Sequence, residues 1–146
     1  MSSAQSPNQF IPHCGDGLCP CCNSSLQKVQ RDLLDISGLV AEPISEPVRT
    51  SLAPLIAEVR ESGRVMLNAL RRCFEEGQAP TYPHAYEDSV MRLGRRIDAL
   101  AVSGGVSGMT EGGVFHLYAL RFAFAQLARD MRELVDELSI RRDSHQ

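Results

Sequence analysis

Apolar residues recur every three or four positions along most of this chain, which is the spacing of one face of an α-helix. The first such segment has apolar positions Leu26, Val29, Leu33, Ile36 and Val40. Ser24 or Ser25 can cap its start. Pro43 ends it, because proline disfavours helical geometry in the preceding residue, Glu42. The pattern predicts a first helix that begins near Ser24.

The second segment predicts a long helix from about Ser45 to Glu76. Its apolar positions are Val48, Leu52, Leu55, Val59, Met66, Leu70 and Cys73. Pro47 suits a first helical turn. Pro54 leaves two alternatives, because an interior proline costs about 3 kcal/mol. Either the helix bends at Pro54, or its true start is Thr50 or Ser51.

The third segment follows Gly77, which predicts a helix end, and a proline-containing loop over residues 78–83. Its apolar positions are Tyr86, Val90, Leu93, Ile97 and Leu100. The glycine-rich stretch 103–108 then predicts a flexible connection.

The fourth segment begins with Thr110 as a predicted N-cap, and Met109 with Val114 fits a hydrophobic staple. Its apolar seam is Val114, Leu117, Leu120, Phe124, Leu127, Met131, Leu134 and Leu138. Phe115, Ala119 and Phe122 add a second apolar stripe. We therefore expect this helix to be buried on a wide face, with the phenylalanines in the core.

Four helical segments joined by short loops predict an all-α fold, an antiparallel helical bundle of about four helices. A sustained heptad seam could also indicate a coiled coil, but the loops containing proline and glycine favour a chain that folds back. No alternating strand pattern competes. The prediction divides the chain into a flexible, disordered Cys-rich tail over 1–23, a bundle domain over 24–142 and a disordered end over 143–146.

Composition adds limits on function. The 146 residues suit one domain, and 43% hydrophobic with 23% charged residues exclude a wholly disordered chain. Fifteen lysines and arginines stand against 18 aspartates and glutamates, which argues against a nucleic-acid binder. No apolar run approaches the roughly 20 residues of a membrane span, and the start does not resemble a secretory signal. These features predict a cytoplasmic protein.

The densest local chemistry is a cysteine cluster near the start of the chain. Its candidate metal ligands are His13, Cys14, Cys19, Cys21 and Cys22. Cys19 and Cys22 have the Cys-x-x-Cys spacing that can clasp zinc or copper. Structural zinc sites usually take a second ligand pair from a distant segment, and this chain offers none. Incidental cysteines in a loose tail remain the alternative.

The sequence gives little support for an enzyme. His84-x-x-Glu87 is a single reversed copy of the repeated motif that di-metal bundles use. Glu111 and His116 are five residues apart and share a helix face poorly. Nucleophile and phosphate-loop motifs are missing. The arginine pairs at 71–72, 95–96 and 141–142 are typical of solvated faces and helix ends.

The fourth segment carries a resemblance to a known family. Residues 116–134 are aromatic and alanine-rich, and they contain Gln126-Leu127-Ala128-Arg129-Asp130-Met131. This resembles the closing helix of FUSC proteins, the fusaric acid resistance and aromatic acid exporter family of bacterial membrane proteins, which often ends in Gln-Leu-x-x-Asp-Leu. Met131 stands in the place of the final leucine. Residues 47–102 are similar in kind to the helices that precede that end.

The resemblance implies a non-enzymatic cytosolic helical domain that assembles or regulates an efflux system for aromatic acids, at the cytoplasmic face of the inner membrane. The membrane-spanning part of the family is missing, so we expect a truncated or split transporter. Its partners would be transporter subunits or a second copy of the chain, with no nucleic acid. We expect helix packing or a partner interface at Leu117, Leu120, Phe124, Leu127, Met131 and Leu134. The alternative hypothesis is a small intracellular thiol protein that binds metal through the cysteine cluster.

Overall fold

The structure, a computed structural model, describes residues 20–40, 44–77 and 84–143. The described residues form four helices, α1 (Pro20–Val40), α2 (Glu46–Glu76), α3 (His84–Val102) and α4 (Glu111–Asp143). No strand occurs in these ranges. The predicted all-α bundle of about four helices is therefore confirmed.

Helices α1 and α4 lie side by side and run in opposite directions. Near the end of α1, the carbonyl oxygen of Leu39 is hydrogen-bonded to Nε2 of His116, near the start of α4. In the first half of α1, Lys28 Nζ lies 3.1 Å from Glu133 Oε2, which is in the second half of α4. The two contacts fix the register of this antiparallel pair.

Helix α3 is antiparallel to both α2 and α4. Arg96 donates to Ser51 Oγ of α2 at 2.7 Å, and Arg92 donates to Glu58 Oε2 at 2.9 Å. On its other side, Asp98 of α3 accepts from Arg121 of α4 at 2.9 Å. Close packing thus joins α1 to α4, α4 to α3 and α3 to α2.

The core consists of the apolar stripes that the helical spacing predicts. Four of its largest buried side chains, which come from α2, α3 and α4, are Leu52, Ile97, Leu117 and Met131, each with essentially no exposed surface. Leu33 and Ile36 of α1 are partly buried against the same cluster. The core lies between α2, α3 and α4, and α1 covers one side of α4.

Helix α1 begins at Pro20, four residues before the predicted start at Ser24. Proline is favoured in a first helical turn, where its missing N–H costs nothing. Cys22 is only 2% exposed and continues the apolar stripe one turn before Leu26. Residues 20–23 of the predicted tail over 1–23 therefore belong to α1. The rest of that tail, 1–19, lies outside the described residues, and so do residues 144–146 of the predicted disordered end.

Helix α2 begins at Glu46 with Ser45 as N-cap and Pro47 in its first turn, so the alternative start at Thr50 or Ser51 is wrong. Pro54 lies inside the helix. The predicted stop at Gly77 is confirmed: this residue has φ 66°, the left-handed conformation that favours glycine.

The connection from α3 to α4 is a hydrogen-bonded turn. The N–H of Gly105 donates to Leu100 O at 2.8 Å and that of Gly104 to Ala101 O at 3.4 Å, the two bonds of a Schellman motif. Gly104 has φ 73°, as the motif requires. The N-cap of α4 is as predicted, because the Gly113 N–H donates to Thr110 Oγ1 at 3.1 Å.

Candidate functional site

The outer face of α4 carries three aromatic side chains that the bundle leaves in solvent. Phe115 is 76% exposed, Phe122 68% and Tyr118 37%. Spacings of three and four place them on one side of the helix over about 10 Å. We call these three residues the aromatic strip. The prediction that Phe115 and Phe122 belong to the core is wrong, because both side chains are mostly exposed and, among the described helices, only α1 and α3 pack closely on α4.

The opposite face of α4 holds the residues predicted to mediate helix packing or a partner interface. Leu117, Leu120, Leu127, Met131 and Leu134 are at most 5% exposed, and Phe124 is partly buried against the same core. They pack against the other helices of the same chain. The aromatic strip, on the other face of the same helix, is exposed instead.

A groove runs beside the aromatic strip, between α4 and α1. It has a volume of about 530 Å³, and its lining includes Leu34 of α1 and Phe122 of α4. Leu34 is 73% exposed, so it extends the apolar surface of the strip onto α1. Asp32 and Asp35 line the same groove and give the α1 side an acidic edge.

Asp32 faces a second carboxyl group, Asp130 of α4, which is 6% exposed. The pKa of Asp32 is raised to about 6. Burial is the largest cause, and the next two are hydrogen bonding with Asp130 and repulsion from the charge of Asp130. The Oδ2 atom of Asp32 is enclosed and has no hydrogen-bond partner among the described residues. A proton on Asp32 would supply the donor that this carboxyl pair lacks.

Two neighbours partly offset the negative charge of this pair. Gln126 donates through Nε2 to Asp130 Oδ1 at 2.9 Å. Lys28 forms an ion pair with Glu133, and its pKa is raised by the hydrogen bond to Glu133 and by the negative charge around it. Gln126 and Asp130 belong to the segment that carries the FUSC resemblance. In this chain they are hydrogen-bonded to each other at the α1–α4 contact.

A second opening separates α1 from α2. These helices are consecutive in the chain, but they do not pack closely on each other in the described ranges. Between them lies a cavity of about 660 Å³, with Leu33 of α1 and Ile56 of α2 on its walls and α3 and α4 beneath it. We call this cavity the α1–α2 slot.

The candidate metal ligands are not brought together by the described part of the chain. His13, Cys14 and Cys19 lie outside it, and Cys21 lies in the first turn of α1. The Cys22 side chain is packed into the bundle. Among the described residues, no group of three or more His, Cys, Asp or Glu side chains is arranged to hold a metal ion. For Cys22 to bind metal with the others, its thiol would have to leave the core.

Four of the other candidates, Glu87, His116, Arg71 and Arg96, have structural contacts. Glu87 pairs with Arg132 of α4, and His116 binds the end of α1. Arg71 pairs with Glu75 at 2.5 Å and Arg96 binds Ser51. Each of these contacts joins neighbouring turns or neighbouring helices at the surface.

None of the described helices combines the length and the hydropathy that a bilayer crossing needs. The fold and surface define a four-helix bundle with one exposed aromatic face. No family model matches the chain, and no match was found among curated proteins or solved structures.

Proposed function

We propose that this chain is a non-enzymatic assembly and regulatory domain, similar to the cytosolic part of FUSC-type aromatic acid exporters. It acts at the cytoplasmic face of the inner membrane, where the transport path belongs to partner subunits. The observation that carries the proposal is the aromatic strip, because it lies on α4, the helix with the FUSC-like sequence. An exposed apolar patch of this kind is typical of a protein–protein contact.

The spacing of the strip supports self-association through α4. Phe115, Tyr118 and Phe122 follow one another by three and four residues, and Ala125 continues the series. These are the a and d positions of a short coiled-coil seam. Arg129 occupies the next such position, where two copies packed in parallel would bring like charges together. The seam is therefore expected to involve only the N-terminal half of α4.

The size of the patch suits a transient contact. The exposed fractions of the three aromatic residues amount to roughly 350 Å² of surface, and Leu34 adds to it. A stable dimer usually buries about 800 Å² on each partner. We therefore expect self-association that depends on protein concentration, or that is completed by transporter helices.

Light scattering over a concentration series tests the proposal. The mass should rise from 16.1 kDa toward twice that value as concentration increases. The double variant Phe115→Ser, Phe122→Ser should stay monomeric. Phe74→Ser is the matched control, because it removes an aromatic side chain that is 43% exposed on α2, away from the strip. A monomer at every concentration, or equal loss in both variants, would contradict self-association through α4.

The link to a transporter has its own test. An adjacent upstream reading frame that encodes membrane-spanning helices would support it, and the encoded protein should co-purify with this chain. The double variant should reduce that co-purification, whereas Phe74→Ser should not. Equal recovery with wild type and double variant would argue against the strip as the partner surface.

A further inference from the structure

Two charged side chains flank the aromatic strip on the exposed face of α4. Glu111 lies four residues before Phe115, and Arg129 lies seven residues after Phe122. Both charged side chains are exposed. Arg129 donates to a neutral group, Gln126 Oε1, at 3.1 Å, and neither charge forms an ion pair within the described residues. The face therefore has an anionic end and a cationic end.

This polarity distinguishes the two ways in which a second copy of α4 can pack on the strip. In a parallel pair in register, Glu111 meets Glu111 of the second copy and Arg129 meets Arg129. In an antiparallel pair with its axis at the level of residue 120, each Arg129 faces Glu111 of the other copy. Opposite charges on neighbouring helical positions stabilise a pair, and like charges destabilise it by similar amounts. Charge complementarity therefore favours the antiparallel pair.

The same antiparallel register also matches the apolar residues. It places the a positions of one helix against the d positions of the other. Phe115 then lies opposite Ala125 of the second copy, and Tyr118 lies opposite Phe122. The outer layers thus combine a large ring with a small side chain, and the central layers pair two rings, which attract each other in edge-to-face geometry.

Neighbouring antiparallel registers are less favourable. A shift of seven residues in one direction places Glu111 against Phe122 of the second copy, which removes a carboxylate from water without a partner. The shift in the other direction places Glu111 against Asp136, an exposed residue further along the same face, and brings like charges together. Only the register centred at residue 120 matches both the charges and the rings.

We propose that two copies of this chain pair through antiparallel α4 helices, with Arg129 of each copy bound to Glu111 of the other. The proposal rests on the self-association proposed above and specifies its geometry, a closed dimer with twofold symmetry. The contact spans residues 111–129, about 27 Å at 1.5 Å per residue. Arg121 lies beside the axis, and Asp98 of the same copy compensates its charge at 2.9 Å.

Sedimentation equilibrium of charge-reversal variants at low salt tests the ion pairs. Arg129→Glu and Glu111→Arg should each raise the dimer dissociation constant about tenfold, because each reversal turns two attractive contacts into two repulsive ones. The double variant Glu111→Arg, Arg129→Glu inverts both pairs and should return the dissociation constant close to the wild-type value. Arg72→Glu is the matched control, since it makes the same change in net charge at an exposed site on α2 and should have little effect.

Cross-link mapping gives the orientation independently. A benzophenone amino acid in place of Ala125 should attach near residue 115 of the second copy, as peptide mass spectrometry would show. Attachment near residue 125 itself, or a dimer that the single reversals do not weaken, would overturn the antiparallel geometry while self-association through α4 stands. Equal weakening by Arg129→Glu and Arg72→Glu would overturn the ion pairs. A chain that is monomeric at every concentration would contradict both proposals and leave the strip to a different protein.

Discussion

Replacing Asp32 with asparagine should stabilise the bundle at neutral pH and have little effect in acid. Asp32 lies against the Asp130 carboxyl group at the α1–α4 contact, and its pKa is raised from 3.8 to about 6. The folded state therefore holds the proton more tightly than the unfolded state. The stabilisation from protonated Asp32 is complete below about pH 4 and is lost as pH rises through 6.

The size of the effect follows from the shift. One pKa unit corresponds to 1.36 kcal/mol, so the change from 3.8 to about 6 sets an upper bound of about 3 kcal/mol. Asp32 is partly accessible to solvent, and screening reduces the expected gain to about 1–2 kcal/mol. An asparagine amide carries no charge, and it can donate to Asp130 at any pH. For a chain of this length the melting temperature should rise by about 3–6 °C at pH 7.5.

Urea unfolding followed by circular dichroism at pH 4 and pH 7.5 measures this gain. The difference in unfolding free energy between Asp32→Asn and wild type should be near zero at pH 4 and favour the variant at pH 7.5. Asp35→Asn is the control on the same helix, because Asp35 is exposed and contributes less to the Asp32 shift than Asp130 does. A difference that is the same at both pH values, or that is larger in acid, would refute the reasoning.

Three further predictions concern the fold. Gly104→Ala should lower the unfolding free energy by about 1 kcal/mol because of its positive φ, whereas Gly108→Ala, in open space, should have little effect in the same urea titration. Leu117→Ala should cost about 2–5 kcal/mol, since Leu117 has no exposed surface, and loss of much less than 2 kcal/mol would contradict its place in the core. Two thiols of the native chain, those of Cys22 and Cys73, should react slowly with a thiol reagent because both are buried. Cys73→Ser should lower the number of slowly reacting thiols by one, and an unchanged number would show that Cys73 is not a protected group.

The helices and their buried faces could be predicted from the sequence because local signals mark them. The apolar stripe of α3 is buried at every position that its spacing indicates, from Tyr86 to Leu100. Thr110 and Gly77 begin and end helices as their side-chain chemistry predicts. The predicted start of α1 near Ser24 is too late because the prediction assigns Cys22 to the tail. A buried cysteine acts as a small apolar residue, and Cys22 extends the apolar stripe of α1 by one turn.

The functional surfaces could not be predicted, because periodicity does not tell which helices are neighbours. Phe115 and Phe122 are apolar at helical spacing, like the core residues of the same helix, and only the missing neighbour on that side of α4 leaves them exposed. The α1–α2 slot could not be predicted for the same reason. Leu33 and Ile56 each lie on a regular apolar stripe, and the separation of their helices appears only in the fold. Whether the cysteine cluster binds metal stays a prediction.

Photo-cross-linking from the aromatic strip tests the central claim most directly. A benzophenone amino acid in place of Tyr118 should give a covalent dimer of the purified chain, and the double variant Phe115→Ser, Phe122→Ser should abolish it. The same label in place of Phe74 should give little dimer. If position 118 cross-links no more than position 74, assembly through the outer face of α4 is wrong.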